Sequence, residues 1–525
     1  MQKQVFRPRN WIAGLRIEHV WALSVLFVIF FFASTHPLRP HDFWWHLRAG
    51  QVIAATGAIP TVDQFSYTMA GTPYDNFAAF WLVELAFFGL YSLGGPASVI
   101  FSNAVVITAA CAVLLVLCWQ VSGNWRAAAA GTFFAALLGY NDWNVRPQDA
   151  AFLLGAIFLW AIYAYRRQPR SWLLAVFPMT MLLWANSHGS FTVGFLMLGI
   201  WLANAVGQAL YRRVASGEWI SARQVVPPAA ALGLSAMAAL VNPRGAGLIS
   251  YVGSLAANPA VQKLATEWAA PSFGTVSGTI FFLGLLLVVV LLVVSPLRPG
   301  LFEVLTLLLF AGLALRTSRG ISWFGLALAP IVSRHLVAAA NRVGSMPDRR
   351  VPEGSVREGD GRQYPVLNYL IAAGLVVGMV FSTPWLKDRL PLPAFRRNLI
   401  SDETPVVATD FMKQQQLPGK LFHEMGFGSY LIWAAYPDYQ VFVDPRIELY
   451  PLSLWQEYQS LSAAEGDWQQ RLVDMGVNTL MLGPKNQRGL VEAARQSPNW
   501  RQVYTDPAAV IFIRTGGPPT AEGTP

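Results

Sequence analysis

Asp42 and His46 stand four residues apart in the run His41-Asp42-Phe43-Trp44-Trp45-His46. On a helix that spacing puts both side chains on one face. A carboxylate held among aromatic rings, away from bulk water, keeps its proton more tightly and suits a general base. Asp42 equally suits a plainer part, a solvated carboxylate capping a short interfacial helix, and the residues alone leave both open. Trp44 and Trp45 are amphipathic rings of the kind found where a membrane meets water.

A second set is cationic. Arg146, Arg244, Arg316 and Arg319 carry planar guanidinium forks that match phosphate oxygens two at a time. With His188 they are candidates for holding an anion. A single arginine at a helix end is better explained by snorkelling to headgroups, and a lone histidine by a packed, hydrogen-bonded core position. Several arginines on one side of a membrane shift the balance toward a lipid-phosphate or sugar-phosphate site. Glu267, beside Trp268, fits an interfacial cap. Farther on, Val443-Asp444-Pro445-Arg446 closes an apolar run, where α/β folds often present ligand groups. Asp444 and Arg446 equally make a structural pair.

Other chemistries are absent from the sequence. There is no P-loop, zinc motif or Gly-x-Ser-x-Gly, and Gly426-Phe427-Gly428 lacks the third glycine of a dinucleotide fingerprint. Cys111 and Cys118 lie in one apolar run and read as small buried hydrophobes, not a disulfide framework.

The elements that must position these residues are membrane helices. The chain is 54% hydrophobic and 13% charged, whereas ordinary soluble proteins are about 25% charged. Mean hydropathy is +0.40. Long uninterrupted apolar runs match the ~20 residues that cross ~30 Å of hydrocarbon, and continuous runs exclude the alternating strands of a membrane barrel. The expectation is a multi-pass α-helical membrane protein of about eleven spans, near 20–36, 97–118, 126–141, 150–165, 171–185, 189–210, 225–241, 279–295, 300–315, 321–338 and 365–383. The first run ends in Ser34-Thr35-His36-Pro37 without a cleavage site, so it is expected to stay as a span.

Residues 77–95 are apolar enough to cross but contain Glu84 and end in Gly94-Gly95-Pro96. Positive residues favour the cytoplasmic side. If 77–95 lies along the membrane and the N-terminus is cytoplasmic, 17 Lys and Arg fall inside and 7 outside before residue 384. If it spans, the count becomes 9 against 15. The first topology is preferred. It explains the net charge of +9 without nucleic acid, and it gathers the unusual polar motifs on the outer side.

The membrane domain is thus expected over 1–383, with a first outer loop at 37–96 carrying interfacial helices and a flexible cytoplasmic loop at 339–363. A linker at 384–398 leads to a soluble α/β domain at 399–515, outside the cytoplasm, and a disordered tail at 516–525. In that domain, helices at 404–416, 426–435, 452–462, 466–475 and 487–497 alternate with strands at Lys420–His423, Gln440–Val443, Thr479–Leu482, Gln502–Tyr504 and Val510–Ile513.

The first loop, with Asp42-Phe43-Trp44-Trp45-His46-Leu47, Gly57-Ala58-Ile59-Pro60, Asp63-Gln64-Phe65-Ser66-Tyr67-Thr68 and Trp81-Leu82-Val83-Glu84, resembles multi-pass bacterial proteins of the GT-C superfamily of glycosyltransferases, similar to the protein-mannosyltransferase-like group. The resemblance continues through Arg146-Pro147-Gln148, Asn186-Ser187-His188-Gly189, Asn242-Pro243-Arg244-Gly245, Glu267-Trp268, Gly428-Ser429-Tyr430-Leu431 and Val443-Asp444-Pro445-Arg446. It implies a polyprenyl-phosphate-linked sugar donor, a site on the outer face of the bacterial cytoplasmic membrane, and an acidic residue in the first outer loop, which maps to Asp42. The family pattern pairs two acids closely; Asp42 has no acidic neighbour. That departure leaves a bound divalent metal open and makes His46, Asp63 and Glu84 candidates to supply the missing group.

The expected function is an inverting transfer of sugar to a glycan, lipid or protein acceptor, with Asp42 and His46 catalytic and Asp63, Glu84, Arg146, His188, Arg244, Glu267, Arg316, Arg319, Asp444 and Arg446 binding substrate. The rivals are a transporter or flippase of lipid-linked sugar, against which the lack of internal repeats counts, and a non-catalytic scaffold.

Overall fold

The computed structural model describes residues 14–74, 76–217, 221–344 and 365–515. The expected disordered tail and most of the loop at 339–363 lie outside the described residues.

Apolar runs become helices because a backbone surrounded by hydrocarbon must satisfy its own hydrogen bonds. The membrane part comprises α1 (Ile17–Ser34), α2 (Phe43–Thr56), α3 (Phe77–Ser122), α4 (Trp125–Gly139), α5 (Pro147–Arg167), α6 (Ser171–Ala185), α7 (Phe191–Ser216), α8 (Ala222–Ala239), α9 (Gly247–Ala257), α10 (Pro259–Leu264), α11 (Val276–Val294), α12 (Leu301–Arg316), α13 (Gly320–Gly344) and α14 (Pro365–Phe381). Six of them, α1, α3, α5, α7, α11 and α13, are long and apolar enough to cross a membrane. α4, α6, α8, α12 and α14 occupy the other expected positions with 15 to 18 residues each.

The helix α13 is the axis of the bundle, with 78% of its apolar window buried, against 22% for α11. Gly131 of α4 lets the two backbones close up: a Cβ there would meet Ser333 Oγ at 2.1 Å and Ala329 O at 2.7 Å. On α11, Leu283, Leu286 and Val293 are exposed. Apolar patches of that extent do not face water in soluble monomers; here they suit acyl chains.

Residues 77–95 are helical and run on into the expected span at 97–118. They are the first arm of α3, which breaks at Gly94 and at Gly95, whose φ of +60° a side chain would oppose. Pro96 then opens the second arm, where a missing N–H costs least. The first arm packs along α2 at very short range: a Cβ on Gly50 would lie 2.0 Å from the backbone oxygen of Glu84.

The C-terminal part adds α15 (Ala394–Arg397), α16 (Val406–Gln414), α17 (Met425–Ala434), α18 (Leu452–Ser462), α19 (Trp468–Asp474) and α20 (Arg488–Gln496) around a sheet of β1 (Leu421–His423), β2 (Thr479–Leu482), β3 (Trp500–Thr505) and β4 (Val510–Arg514). Strand order is β1-β2-β4-β3, with β1 and β2 parallel and the other pairs antiparallel. One expected strand is corrected. Gln440–Val443 does not join the sheet. Val441 bridges Ser66 of the first loop instead, donating to Phe65 O at 3.0 Å and accepting from Tyr67 N at 3.1 Å. Its neighbour Phe442 donates from its backbone to His423 Nε2 at 3.1 Å. An apolar extended run predicts a strand, but its partner is chosen by tertiary contact.

The 384–398 segment is also less free than a linker. Lys387 is buried and donates to Asn398 O at 2.8 Å, Arg396 reaches Thr35 at the end of α1 at 3.1 Å, and Leu38 N donates to Leu399 O at 2.9 Å.

Gly50→Ala should separate α2 from α3 or strain both. Overpacking of this kind costs about 1–3 kcal/mol, read as a lower Tm and a reduced monodisperse fraction in detergent.

Candidate functional site

Four of the expected residues meet at one end of the helix bundle. Asp42 immediately precedes α2, in helical backbone conformation and with no side-chain cap bond. Its carboxylate is therefore spared the capping part and takes Arg146 Nε at 2.9 Å. Arg146 precedes Pro147, which disfavours the helical region for it, and it is extended at φ −144° and ψ 158°. That turns its side chain out of α5 toward the first loop. Its Nη1 reaches Glu267 at 3.2 Å. The other Glu267 oxygen accepts from Arg319, whose guanidinium also lies over the Trp268 ring at 5.2 Å. The two loops that bring Glu267 and Arg319 are zipped by backbone: Arg319 N donates to Glu267 O at 3.0 Å and Ser318 N to Ala269 O at 2.9 Å.

The result is a chain of alternating charge, Asp42–Arg146–Glu267–Arg319, with side-chain exposures of 24 to 31%. These groups are screened but within reach of a ligand. Burial works to raise the Glu267 carboxyl, and Arg319 and Arg146 outweigh it, bringing it down to about 2. Arg146 is held more firmly protonated, chiefly by Asp42. A cleft opens beside the cluster between His41, Asp42 and Phe43 on one wall and Asn144, Val145 and Arg146 on the other. A second, apolar cleft runs between α3, α4 and α13, past Ile107, Leu114, Trp143 and Leu326 to Ser322.

Sequence reasoning misses Asp142 as a site residue. Asp142 is hydrogen-bonded by Ser322, and burial pushes its carboxyl up to about 6. A polar residue at an apolar helix end is the only available signal, and it does not separate Asp142 from Asn141 or Asn144.

His46 does not stand with Asp42. Asp42 is in helical conformation and its carbonyl accepts from His46 N at 3.4 Å, but its carboxylate is held by Arg146, while His46 Nδ1 meets Glu84 Oε1 at 2.8 Å between α2 and α3. Both members of that pair are buried, with the Trp45 and Phe80 rings against His46. The expectation of His46 as catalytic partner and Glu84 as a substrate ligand is therefore corrected to a sealed pair inside the helix interface.

Asp63, Asp444 and Arg446 also come together, but not at the ligand-accessible cluster. Arg446 Nη1 lies 2.7 Å from Asp63 Oδ1 and its Nη2 2.6 Å from Asp444 Oδ2, with all three side chains fully buried. Tyr450 OH donates to Asp444 at 2.5 Å, and the rings of Phe65 and Tyr74 flank the guanidinium. Arg446 holds the Asp444 carboxyl below its usual range although burial opposes it. These residues pin the first loop to the C-terminal part and are inaccessible to substrate.

Arg244 stands with that side, 3.4 Å from Asn76 Oδ1 and over the Tyr251 ring. Asn76 and Tyr74 both donate to Glu448, at 3.0 and 2.7 Å. Arg316 ends α12 with an exposed side chain and no hydrogen bond or ion pair among the described residues. His188 is partly buried near the charged cluster and hydrogen-bonds Ser190.

A divalent metal does not fit this donor set. Among the described residues no group of three His, Cys, Asp or Glu is placed to hold one. Asp42 and Glu267, the carboxylates at the cluster, already face guanidinium groups, whose charge opposes a second cation there.

No family model and no curated relative matches the chain. Solved structures do. Archaeal oligosaccharyltransferase AglB from Archaeoglobus fulgidus, in complex with an inhibitory peptide and a dolichol-phosphate, aligns at TM-score 0.52 and 12% identity, over 95% of this chain and 75% of that one. ArnT from Cupriavidus metallidurans in the apo state aligns at TM-score 0.50 and 14% identity, over 94% and 97%.

The pairings generate two predictions. Arg446→Met leaves Asp63 and Asp444 buried without their cation, a change that costs about 3–5 kcal/mol in buried pairs; Tm should fall and limited proteolysis should cut within the first loop. Because Glu267 titrates lower folded than unfolded, its contribution is present above the ordinary carboxylate range near pH ~4.3 and is lost as pH falls through about 2. Infrared difference spectra against Glu267→Gln at pH ~3.3, below the ordinary range, should therefore still show an ionised carboxylate. These alignments show that the chain shares its fold with AglB and with apo ArnT.

Proposed function

We propose that the chain is a glycosyltransferase that moves a sugar from a polyprenyl-phosphate carrier to an envelope acceptor on the outer face of a bacterial cytoplasmic membrane. The full reading has eleven spans, a cytoplasmic N-terminus and an extracytoplasmic C-terminal domain. The observation that carries it is the Asp42–Arg146–Glu267–Arg319 cluster, which sets two carboxylates and two guanidinium groups at a cleft lined by Asp42 and Arg146, in a bundle that also holds an apolar cleft. A carrier with a phosphate head and a prenyl tail matches both halves. The similarly folded AglB is a complex with a dolichol-phosphate, which supports the same ligand class.

In this mechanism the phosphate binds Arg146 and Arg319, which neutralise the charge that develops as the sugar leaves. Binding draws Arg146 partly away from Asp42. The freed carboxylate takes the proton of an acceptor hydroxyl. The acceptor oxygen forms its bond to the anomeric carbon as the bond to the phosphate oxygen breaks, and the electron pair departs on the phosphate. Attack opposite the leaving group inverts the anomeric centre. Glu267 keeps the two arginines in register before the carrier arrives. The cleft between α3, α4 and α13 takes the first isoprene units, and the face around Asn76, Arg244 and Glu448 borders the acceptor side.

Purified protein in nanodiscs, given a panel of polyprenyl-phosphate sugars and envelope extract, should release polyprenyl phosphate. Asp42→Asn should lower turnover by ~100-fold or more, within the range for a general base, with unchanged expression. Full turnover in Asp42→Asn would remove Asp42 from the mechanism; binding without turnover in the wild type would favour transport.

A further inference from the structure

His188 has an unusual set of neighbours. It lies in the turn between α6 and α7, its backbone held by Trp184 O and by Phe191 N at 3.0 and 3.2 Å. Ser190 N donates to His188 Nδ1 at 3.0 Å, and Ser190 Oγ lies 2.8 Å from the same nitrogen. Trp184 Nε1 donates to Ser190 Oγ at 3.1 Å. The serine hydroxyl therefore receives the indole proton and has its own proton to give, and Nδ1 is the acceptor facing it. Two donors meet at Nδ1, so that nitrogen carries the lone pair. In a neutral imidazole the proton then sits on Nε2.

The ring is only partly buried, with Phe80 at 5.8 Å between centroids. The charged groups acting on it are Arg319, Glu267 and Arg146, three of the four members of the accessible cluster. Burial first, and then Arg319, brings the imidazole down to about 3. It stays uncharged wherever the membrane operates, and its fixed N–H is a donor without a net charge.

We propose that His188 is a carrier-binding residue that donates Nε2–H to the phosphate of the polyprenyl-phosphate group, with Trp184 and Ser190 acting as positioning residues that lock its tautomer. The inference rests on the transferase reading of the same site. A neutral donor suits this place. Arg146 and Arg319 already balance Asp42 and Glu267, and a third cation would hold the released phosphate after transfer. An uncharged N–H adds direction to the leaving oxygen without adding that attraction.

The test is binding, separate from turnover. Wild type, His188→Gln and His188→Phe are compared in nanodiscs for affinity toward a short polyprenyl phosphate and the matching uncharged polyprenol. Glutamine keeps an N–H donor near the Nε2 position; phenylalanine keeps the ring without it. A hydrogen bond to a charged group predicts ~10- to 100-fold weaker phosphate binding in His188→Phe. Polyprenol affinity should be unchanged, and His188→Gln should be close to wild type. Nitrogen-15 solid-state spectra, with His188→Gln as the subtraction, should show an unprotonated Nδ1 and a protonated Nε2 both near neutrality and at about pH 5, below the ordinary histidine range. Equal loss of phosphate and alcohol binding in His188→Phe would make the residue structural and overturn the proposal. So would unaltered phosphate binding, or a proton found on Nδ1. If wild type binds polyprenol but no polyprenyl phosphate, the transferase reading fails first and this inference with it.

Discussion

A guanidinium sealed away from water is the constraint around which the two parts of this protein are built. Arg446 sits at zero exposure between Asp63 and Asp444. Removing ions from water costs several kcal/mol each, and only close geometry with further hydrogen bonds recovers it. Asp63 comes from the loop between α2 and α3, whereas Asp444, Arg446 and Tyr450 come from the C-terminal part. Asp444 and Arg446 pair within the C-terminal part, and the remaining edge of the guanidinium, Nη1, takes Asp63 from the first loop. The bridge between Ser66 and Val441 then follows from the same juxtaposition, and the first loop lies against the C-terminal part.

The accessible cluster obeys the opposite economy. Its four charges alternate, so each carboxylate meets a guanidinium, yet about a quarter of every side chain remains open. Partial exposure lowers the cost of keeping the charges and leaves their free edges for a ligand. The same residue types thus serve two ends: Asp and Arg at full burial make a clamp, and Asp and Arg at partial burial make a site.

Much of the architecture is legible in the sequence because hydrophobic runs dictate helices directly. All eleven expected segments are helical, and four of the five expected strands pair within a few residues of their expected limits. The misplaced strand, Gln440–Val443, shows what local pattern lacks: its partner, Ser66, lies in the first loop, most of the chain away. The site is legible as a set of residue types and not as an assembly. Asp42, Arg146, Glu267 and Arg319 stand out, but so do Asp63, Asp444 and Arg446, and nothing in spacing distinguishes an ion pair that faces a cleft from one enclosed by Phe65 and Tyr74. His46 misleads for a simpler reason. Its helical spacing from Asp42 holds, but Arg146 takes the Asp42 carboxylate and Glu84 takes the imidazole, and neither partner is visible from that spacing.

The break in α3 has a consequence for how the molecule is made. Gly94 and Gly95 let one apolar stretch turn into two arms, and the first arm packs closely on α2 through Gly50. During synthesis α2 and that arm emerge together as a local hairpin, long before Arg146, Glu267, Arg319 and Arg446 exist. Asp42 and Asp63 are therefore made well before the arginines that pair with them. Each partner arrives in the order of the chain, and the last, Arg446, closes the structure. Completion of the chain is thereby coupled to neutralisation of its earliest charges, so a chain halted midway carries acids whose cations have yet to be made, a physical mark of immaturity.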